Sequence, residues 1–132
     1  MHRRICDSRI IVVDDMPVMT ELICMWLSRK GYKNIRCYND PLQALQHIGD
    51  GISVDLVITD YHMGNINGLQ MLESISRIHP GVPGIIVSCA PQDIEDEGKY
   101  TIMHKNDMLE KLPKIIPHKI TGSMAYQKMA CL

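Results

Sequence analysis

The sequence has no phenylalanine, no excess of charge of either sign and no long apolar run. Ten methionines in 132 residues imply that flexible thioether and aliphatic side chains fill the core. A net charge of −1 gives no sign of a nucleic-acid-binding tail or a polybasic patch, so we expect no direct nucleic-acid partner. No apolar run reaches the roughly 18 residues of a membrane helix, so we expect no membrane insertion.

Cysteine pairs with metal-binding or redox spacing are also missing. Five cysteines are present, an odd number, and no two form a CxxC motif. A chain of this length can bury a core without disulfides, so we predict reduced thiols. No apolar signal core follows the charged start of the chain. We therefore predict a soluble, cytoplasmic protein.

Strand-like and helix-like segments alternate along the chain. The strand-like segments are short apolar runs at 10–13, 35–38, 54–59, 85–87 and 101–104. Between them lie segments with helical apolar spacing; the first has Met19, Leu22, Ile23, Trp26 and Leu27 as its predicted core face. This alternation predicts an α/β fold with a doubly wound, five-stranded parallel sheet and helices on both faces.

The stretch before the fifth strand-like segment is mostly polar and has room for only about two helical turns. A shortened fourth helix is therefore expected there. We predict one domain at 1–120, followed by a C-terminal tail at 121–132 and no output domain. A DNA-binding effector would need about 60 further residues, and only the tail follows the last helix.

Four of the five predicted strands end in a polar functional group. Asp14 and Asp15 follow the first strand, Asp60 the third, Ser88 the fourth and Lys105 the fifth. Ligands of open parallel sheets bind at the carboxyl ends of the strands, where the strand order reverses. These side chains are therefore expected to converge on one crevice.

Such a set of groups suits a metal ion and a phosphoryl group. Three carboxylates in one crevice repel one another, and a divalent cation relieves that repulsion. Few, hard oxygen ligands favour Mg²⁺. A lysine and a hydroxyl can neutralise and bond the phosphoryl oxygens, and a carboxylate can be the nucleophile.

The sequence resembles the response-regulator receiver domains of two-component signalling, which have a flavodoxin-like fold. The resemblance spans roughly residues 8–118 and is carried by four pieces: IIVVDD at 10–15, VDLVITDYHMGNINGLQML at 54–72, IIVSCA at 85–90 and a lysine ending strand five. Met63 stands three residues after Asp60 and Gly68 eight residues after it, as in the family pattern.

The resemblance implies a metal-binding role for one end of the sheet. Asp60 would be the phosphoacceptor and would share Mg²⁺ with its neighbours. Asp15 would bind the ion directly, and Asp14 largely through a water molecule. The backbone carbonyl of His62 would complete the protein ligands.

The resemblance also implies partners and an output. Ser88 would hydrogen-bond the phosphoryl group, and Lys105 would pair with one of its oxygens. The donor would be a phosphohistidine on a histidine kinase or a histidine phosphotransfer protein. The chain would signal by binding a downstream protein or by passing the phosphoryl group on in a relay. Its only chemistry would be its own phosphorylation and dephosphorylation, so it would not be an enzyme.

Three positions depart from the family pattern. Gly64 replaces the usual proline after Asp60, which predicts a less rigid loop. Asn106 replaces the proline that commonly follows the lysine. The aromatic switch residue usually stands three positions before the lysine, where this chain has Ile102; Tyr100 is two residues too early. Output through the usual aromatic coupling is therefore in doubt.

Structural alternatives remain for each residue. Asp14 and Asp15 could simply cap the next helix, Ser88 could be a core hydroxyl and Lys105 a solvated lysine. The whole chain could be a phosphorylation-independent interaction module with the receiver fold. A phosphohydrolase of the haloacid-dehalogenase type would need a second acid two positions after the nucleophile, where this sequence has His62.

Overall fold

The structure is a computed structural model that describes residues 4–123. Its strands are β1 Arg9–Val13, β2 Asn34–Tyr38, β3 Leu56–Asp60, β4 Gly84–Ser88 and β5 Thr101–His104. Its helices are α1 Pro17–Arg29, α2 Pro41–Gly49, α3 Gly68–Ile78 and α4 Met108–Ser123. The strands form one parallel sheet in the order β2-β1-β3-β4-β5. The predicted doubly wound fold is therefore confirmed.

The sheet separates two hydrophobic clusters, because successive residues of a strand face opposite sides. Val12, Ile58 and Met103 face the side covered by α1 and α4. Val57 and Ile86 face the side covered by α2 and α3. Both faces are thus buried, which explains why the strands are continuous apolar runs and not alternating ones.

Local sequence sets where the helices begin. Pro17 and Pro41 stand in the first turns of α1 and α2, where a missing backbone N–H costs nothing. Asn67 and Gln70 form a reciprocal capping box at the start of α3, with bonds of 2.8 and 2.9 Å. This capping box fixes the point at which the loop after β3 turns back into a helix.

The connection between β4 and β5 contains only one 3₁₀ turn, at Pro91–Asp93. The prediction of a shortened fourth helix is therefore confirmed, and the reduction is extreme. Ile94 is the one buried residue between Cys89 and Tyr100. A Cβ built on Gly84 would lie 3.1 Å from the Tyr100 ring, so that ring packs over the start of β4.

The last helix runs further than its prolines suggest. α4 continues through Pro113 and Pro117 to Ser123, so it includes the first three residues of the predicted tail. The remainder of that tail, 124–132, lies outside the described residues. Within residues 4–123, no helix is both long enough and apolar enough to cross a bilayer.

Two predictions that involve α1 are wrong. Cys24 of α1 and Cys37 of β2 form a disulfide, with their Cα atoms 7.0 Å apart, although all thiols were expected to be reduced. The sequence pattern does not reveal this pair, because the fold brings β2 alongside α1. Leu22 is 40% exposed and does not belong to the core face of α1.

Candidate functional site

Two of the acidic residues and the lysine converge because each lies two residues beyond a strand residue on the same face of the sheet. Asp14 lies two residues beyond Val12, Asp60 two beyond Ile58 and Lys105 two beyond Met103. Those three apolar residues all belong to the cluster under α1 and α4. The strand order reverses between β1 and β3, so the predicted crevice opens where these strands end.

The three acids lie close enough to share one cation. Asp14, Asp15 and Asp60 each offer a carboxylate oxygen within 4.8 Å of the others. The Nζ atom of Lys105 lies 3.4 Å from an oxygen of Asp60 and 3.8 Å from an oxygen of Asp14. With one lysine for three carboxylates, the crevice keeps an excess of negative charge.

Asp60 is held by its own loop. The backbone N–H of Tyr61 donates to one Asp60 carboxylate oxygen at 2.8 Å, and the Thr59 hydroxyl donates to the Asp60 carbonyl at 2.8 Å. A methyl group on Gly68 would overlap the Asp60 carbonyl oxygen, so only glycine fits at this close approach. The Asp60 side chain is 10% exposed, so part of it faces solvent.

Asp14 is the most buried of the acids. It is 3% exposed, and burial raises the pKa of its carboxyl above the usual 3.8. The negative charges of Asp60 and Asp15 raise this pKa further, whereas a bond from the Met16 backbone N–H and the charge of Lys105 lower it. Keeping Asp14 ionised in the folded state therefore costs free energy, and a bound cation would reduce that cost.

Ser88 and His62 occupy different parts of the same edge. Ser88 ends β4, one residue past the partner of Asp60 in the strand pairing. Its buried hydroxyl accepts the Ala90 N–H at 3.0 Å, which leaves the hydroxyl proton for another acceptor. The His62 side chain is exposed and packs edge-on against the Tyr61 ring, 4.8 Å between centroids.

The contacts of the acids and of Lys105 bear on the structural alternatives given for them. Met16 occupies the N-cap position of α1 without a side-chain cap bond, and Asp14 accepts the N–H of Met16 itself at 2.9 Å. Lys105 is 20% exposed and paired, unlike a solvated lysine.

Tyr100 lies four residues before His104, the β5 partner of Ser88, or about 13 Å along a strand. It is therefore too far from Ser88 to be a switch beside it.

One contact of the site was not predicted from the sequence. Asn39, the residue after β2, donates its side-chain N–H to the backbone carbonyl of Asp14 at 2.8 Å. No motif contains this asparagine, and only the pairing of β2 with β1 brings it to the site. A polar residue directly after β2 is the sole sequence signal that could have indicated it.

Comparisons with known proteins agree with the fold. The family model described as "Response regulator receiver domain" matches residues 10–116. Regulator of RpoS from Escherichia coli (strain K12) is 29% identical over 132 residues, which are 100% of this chain and 37% of that protein. A protein-glutamate methylesterase/protein-glutamine glutaminase from Caulobacter vibrioides is 35% identical over 85 residues, 64% of this chain and 24% of the relative. The chain thus spans well under half the length of these curated relatives.

Solved structures show the same architecture. A response regulator receiver domain protein from Clostridium thermocellum superposes with a TM-score of 0.76 at 23% identity, covering 87% of this chain and 95% of that one. A receiver protein from Sinorhizobium medicae WSM419 gives 0.75 at 18% identity, covering 89% and 98%. At such identities the likeness establishes the fold alone. The family model covers most of the chain, and on that ground the chain belongs to the response regulator receiver domain family of two-component signalling.

Proposed function

We propose that this receiver domain accepts a phosphoryl group from a phosphohistidine donor onto Asp60 in a Mg²⁺-dependent reaction. The phosphorylated chain then binds a downstream protein or passes the group on in a relay. The donor is a histidine kinase or a histidine phosphotransfer protein. A cytoplasmic location follows from this role and stays a prediction.

One observation carries the proposal. A partly exposed carboxylate, Asp60, lies 3.4 Å from the Lys105 ammonium and within 4.8 Å of two further acids. A lone turn residue would not need a buried acid and a lysine around it. This arrangement supports the proposal, because phosphoryl transfer requires a nucleophile beside a fixed positive charge and cation ligands.

The transfer step can be written with these residues. A carboxylate oxygen of Asp60 attacks phosphorus, and an O–P bond forms as the N–P bond of the phosphohistidine breaks. The electron pair of that bond stays on the imidazole nitrogen, and Asp60 becomes an acyl phosphate. Lys105 pairs with an oxygen of the transferred group, and the Ser88 hydroxyl donates to another. Attack of water at phosphorus later releases inorganic phosphate and restores the carboxylate.

The acids present fit a magnesium ion. Asp15 and Asp60 would bind it directly, Asp14 would act largely through water, and the His62 carbonyl would complete the set. All are hard oxygen donors, and their uncompensated charge and the raised pKa of Asp14 give a cation a reason to bind. When bound, Mg²⁺ neutralises charge on the phosphoryl oxygens.

A protein donor is favoured by the surface beside the crevice. Four large apolar side chains of α1 and the residue before it are exposed by 40–66%: Met16, Val18, Leu22 and Met25. Val18, Leu22 and Met25 follow helical spacing and form one stripe. Contiguous exposed apolar side chains are typical of protein-binding surfaces, and this stripe begins four residues after Asp14.

The acceptor can be identified by intact mass. Acetyl phosphate with Mg²⁺ is expected to add one phosphoryl group to the wild type and none to Asp60→Asn. Asp107→Asn is the matched control, because Asp107 also lies 3.4 Å from a lysine, Lys111, but at an exposed position. That variant should gain the phosphoryl group as the wild type does.

Other results would change the conclusion. Equal gain by Asp60→Asn would place the acceptor elsewhere. No gain by the wild type with either acetyl phosphate or a phosphorylated histidine kinase would instead support the phosphorylation-independent module. Turnover of a generic phosphoester would point to a phosphohydrolase.

A further inference from the structure

Asn39 joins three elements at the back of the acidic crevice. Its side-chain nitrogen lies 2.8 Å from the carbonyl oxygen of Asp14 and 3.0 Å from the hydroxyl oxygen of Thr20. An amide nitrogen carries two hydrogens, so it can make both bonds at once. Asn39 follows β2, Asp14 follows β1 and Thr20 lies in the first turns of α1.

The first of these bonds completes the pairing of β1 with β2. The backbone N–H of Asp14 donates to the Tyr38 carbonyl at 3.1 Å. Its carbonyl, which faces the same neighbouring strand, receives the Asn39 amide. The Asn39 side chain thus adds one hydrogen bond to the β1–β2 pairing just beyond the end of β2.

This hydrogen bond orients the two acids that directly follow β1. The Asp14 carbonyl belongs to the peptide group that joins Asp14 to Asp15. Because a peptide group is planar, fixing its oxygen also fixes the bond that leads into Asp15. The Met16 N–H separately fixes one Asp14 carboxylate oxygen at 2.9 Å. Asn39 therefore sets the direction in which the chain leaves β1 and enters the crevice.

The second bond anchors the amide to the helix. Thr20 is 3% exposed, and its hydroxyl donates to the Pro17 carbonyl at 3.0 Å. The hydroxyl oxygen therefore remains available to accept from Asn39. Through this buried threonine, the first turn of α1 and the end of β1 are held at a fixed separation.

We propose that Asn39 is a positioning residue for the divalent-cation site of this receiver domain, acting through the Asp14–Asp15 peptide. The inference rests on the proposed function, since it assumes that these acids bind Mg²⁺. Residues that orient metal ligands without touching the metal typically change metal affinity 10- to 100-fold. Loss of the Asn39 amide should therefore weaken Mg²⁺ binding without removing the nucleophile.

The test compares Asn39→Ala with Asn34→Ala. Asn34 lies at the other end of the same strand, and its side-chain nitrogen donates to the Asp7 carbonyl at 2.7 Å. Both variants thus lose an asparagine-to-carbonyl bond, but only one loses it at the crevice. Phosphorylation by acetyl phosphate is followed by intact mass over a range of Mg²⁺ concentrations, and Mg²⁺ binding is measured by calorimetry.

For Asn39→Ala, the Mg²⁺ concentration giving half-maximal rate should rise about tenfold, with the rate at saturating Mg²⁺ nearly unchanged. Asn34→Ala should match the wild type in both. Asn39→Leu, close to asparagine in shape but without a donor, should reproduce the shift and covers the case in which the alanine variant unfolds.

Three results would overturn the inference. An unchanged Mg²⁺ dependence in Asn39→Ala and Asn39→Leu would remove the positioning role while leaving the proposed function intact. A similar shift in Asn34→Ala would show a general effect of loosening β2. A wild type that binds no Mg²⁺ would overturn the proposed function and this inference together.

Discussion

Two connections at the carboxyl edge of the sheet are built differently. The acceptor segment, residues 60–68, links β3 to α3; the β4–β5 segment, residues 89–100, links the last two strands. In the acceptor segment, the Tyr61 carbonyl receives the Gly68 N–H at 2.8 Å, and a capping box closes the loop. The β4–β5 segment has one 3₁₀ turn, and its Glu97 adopts a φ of 61°.

Under the proposed function, this difference separates the residues of phosphoryl transfer from the region of signal output. The groups that would bind the phosphoryl and its cation lie directly after β1, at the end of β3 and in its loop, at the end of β4 and directly after β5. None of them lies within the β4–β5 segment, where receiver domains commonly build their output face. This chain has the first region but only one 3₁₀ turn in the second, so we expect its output to use another surface.

The largest effect is expected from the lysine of the site. Lys105→Gln should lower the rate of phosphorylation by acetyl phosphate about 100-fold, because it removes the fixed positive charge 3.4 Å from Asp60. Lys111→Gln is the control, since it breaks an exposed pair at the same 3.4 Å and should leave the rate unchanged. Equal rates for the two variants, measured by intact mass, would show that Lys105 has no part in the transfer.

Glycine substitutions compare the two segments directly. Gly68→Ala should lower the free energy of unfolding by about 2 kcal/mol, because its methyl group would overlap the Asp60 backbone. Gly98→Ala, in the β4–β5 segment, should cost about 1 kcal/mol, since its φ is 75° but no atom lies within 4 Å of the added Cβ. Urea unfolding measures both losses. A larger loss for Gly98→Ala than for Gly68→Ala would mean that the acceptor segment relaxes easily around the added methyl group.

Most of the fold could be predicted from the sequence because its signals are local. Five apolar runs separated by helical spacing predict a parallel sheet, and the polar residues ending those runs predict the crevice. The loop at Gly64 was expected to differ from a proline loop, and its φ of 85° is one that proline cannot adopt.

The features missed from the sequence depend on contacts between distant residues. Asn39 reaches the site only because β2 pairs with β1, and Cys24 meets Cys37 for the same reason. Leu22 has the spacing of a core residue, but the sheet leaves its side of α1 uncovered. Periodicity gives the direction of a side chain around its own helix and does not show how far the neighbouring elements extend.

Neutralising Asp14 should stabilise the protein without metal. The raised pKa of Asp14 means that the folded state binds this proton more tightly than the unfolded chain does. At neutral pH, ionised Asp14 therefore lowers stability, and in EDTA Asp14→Asn should melt several degrees higher. The gain should shrink as the pH falls through the raised pKa towards 3.8.

The same acid-to-amide change at Glu95, exposed in the β4–β5 segment, should leave the melting temperature unchanged. Added Mg²⁺ should narrow the difference between wild type and Asp14→Asn, because the wild type binds the ion better. A lower melting temperature for Asp14→Asn in EDTA would mean that the paired charges stabilise the fold.

The smallest effect is expected from removing one tyrosine hydroxyl in each segment. Within the described residues, the buried Tyr100 hydroxyl has no hydrogen-bond partner, so Tyr100→Phe should raise the free energy of unfolding by about 1 kcal/mol. Tyr61→Phe should lower it by about 0.5 kcal/mol, since the Tyr61 hydroxyl accepts from Asn67 at 3.4 Å. Tyr100→Phe should also leave phosphorylation and partner binding unchanged, because the ring packs over Gly84 at the far end of the sheet. If Tyr100→Phe altered binding of a partner only in the phosphorylated state, the β4–β5 segment would still couple to Asp60, and the separation of chemistry from output would be wrong.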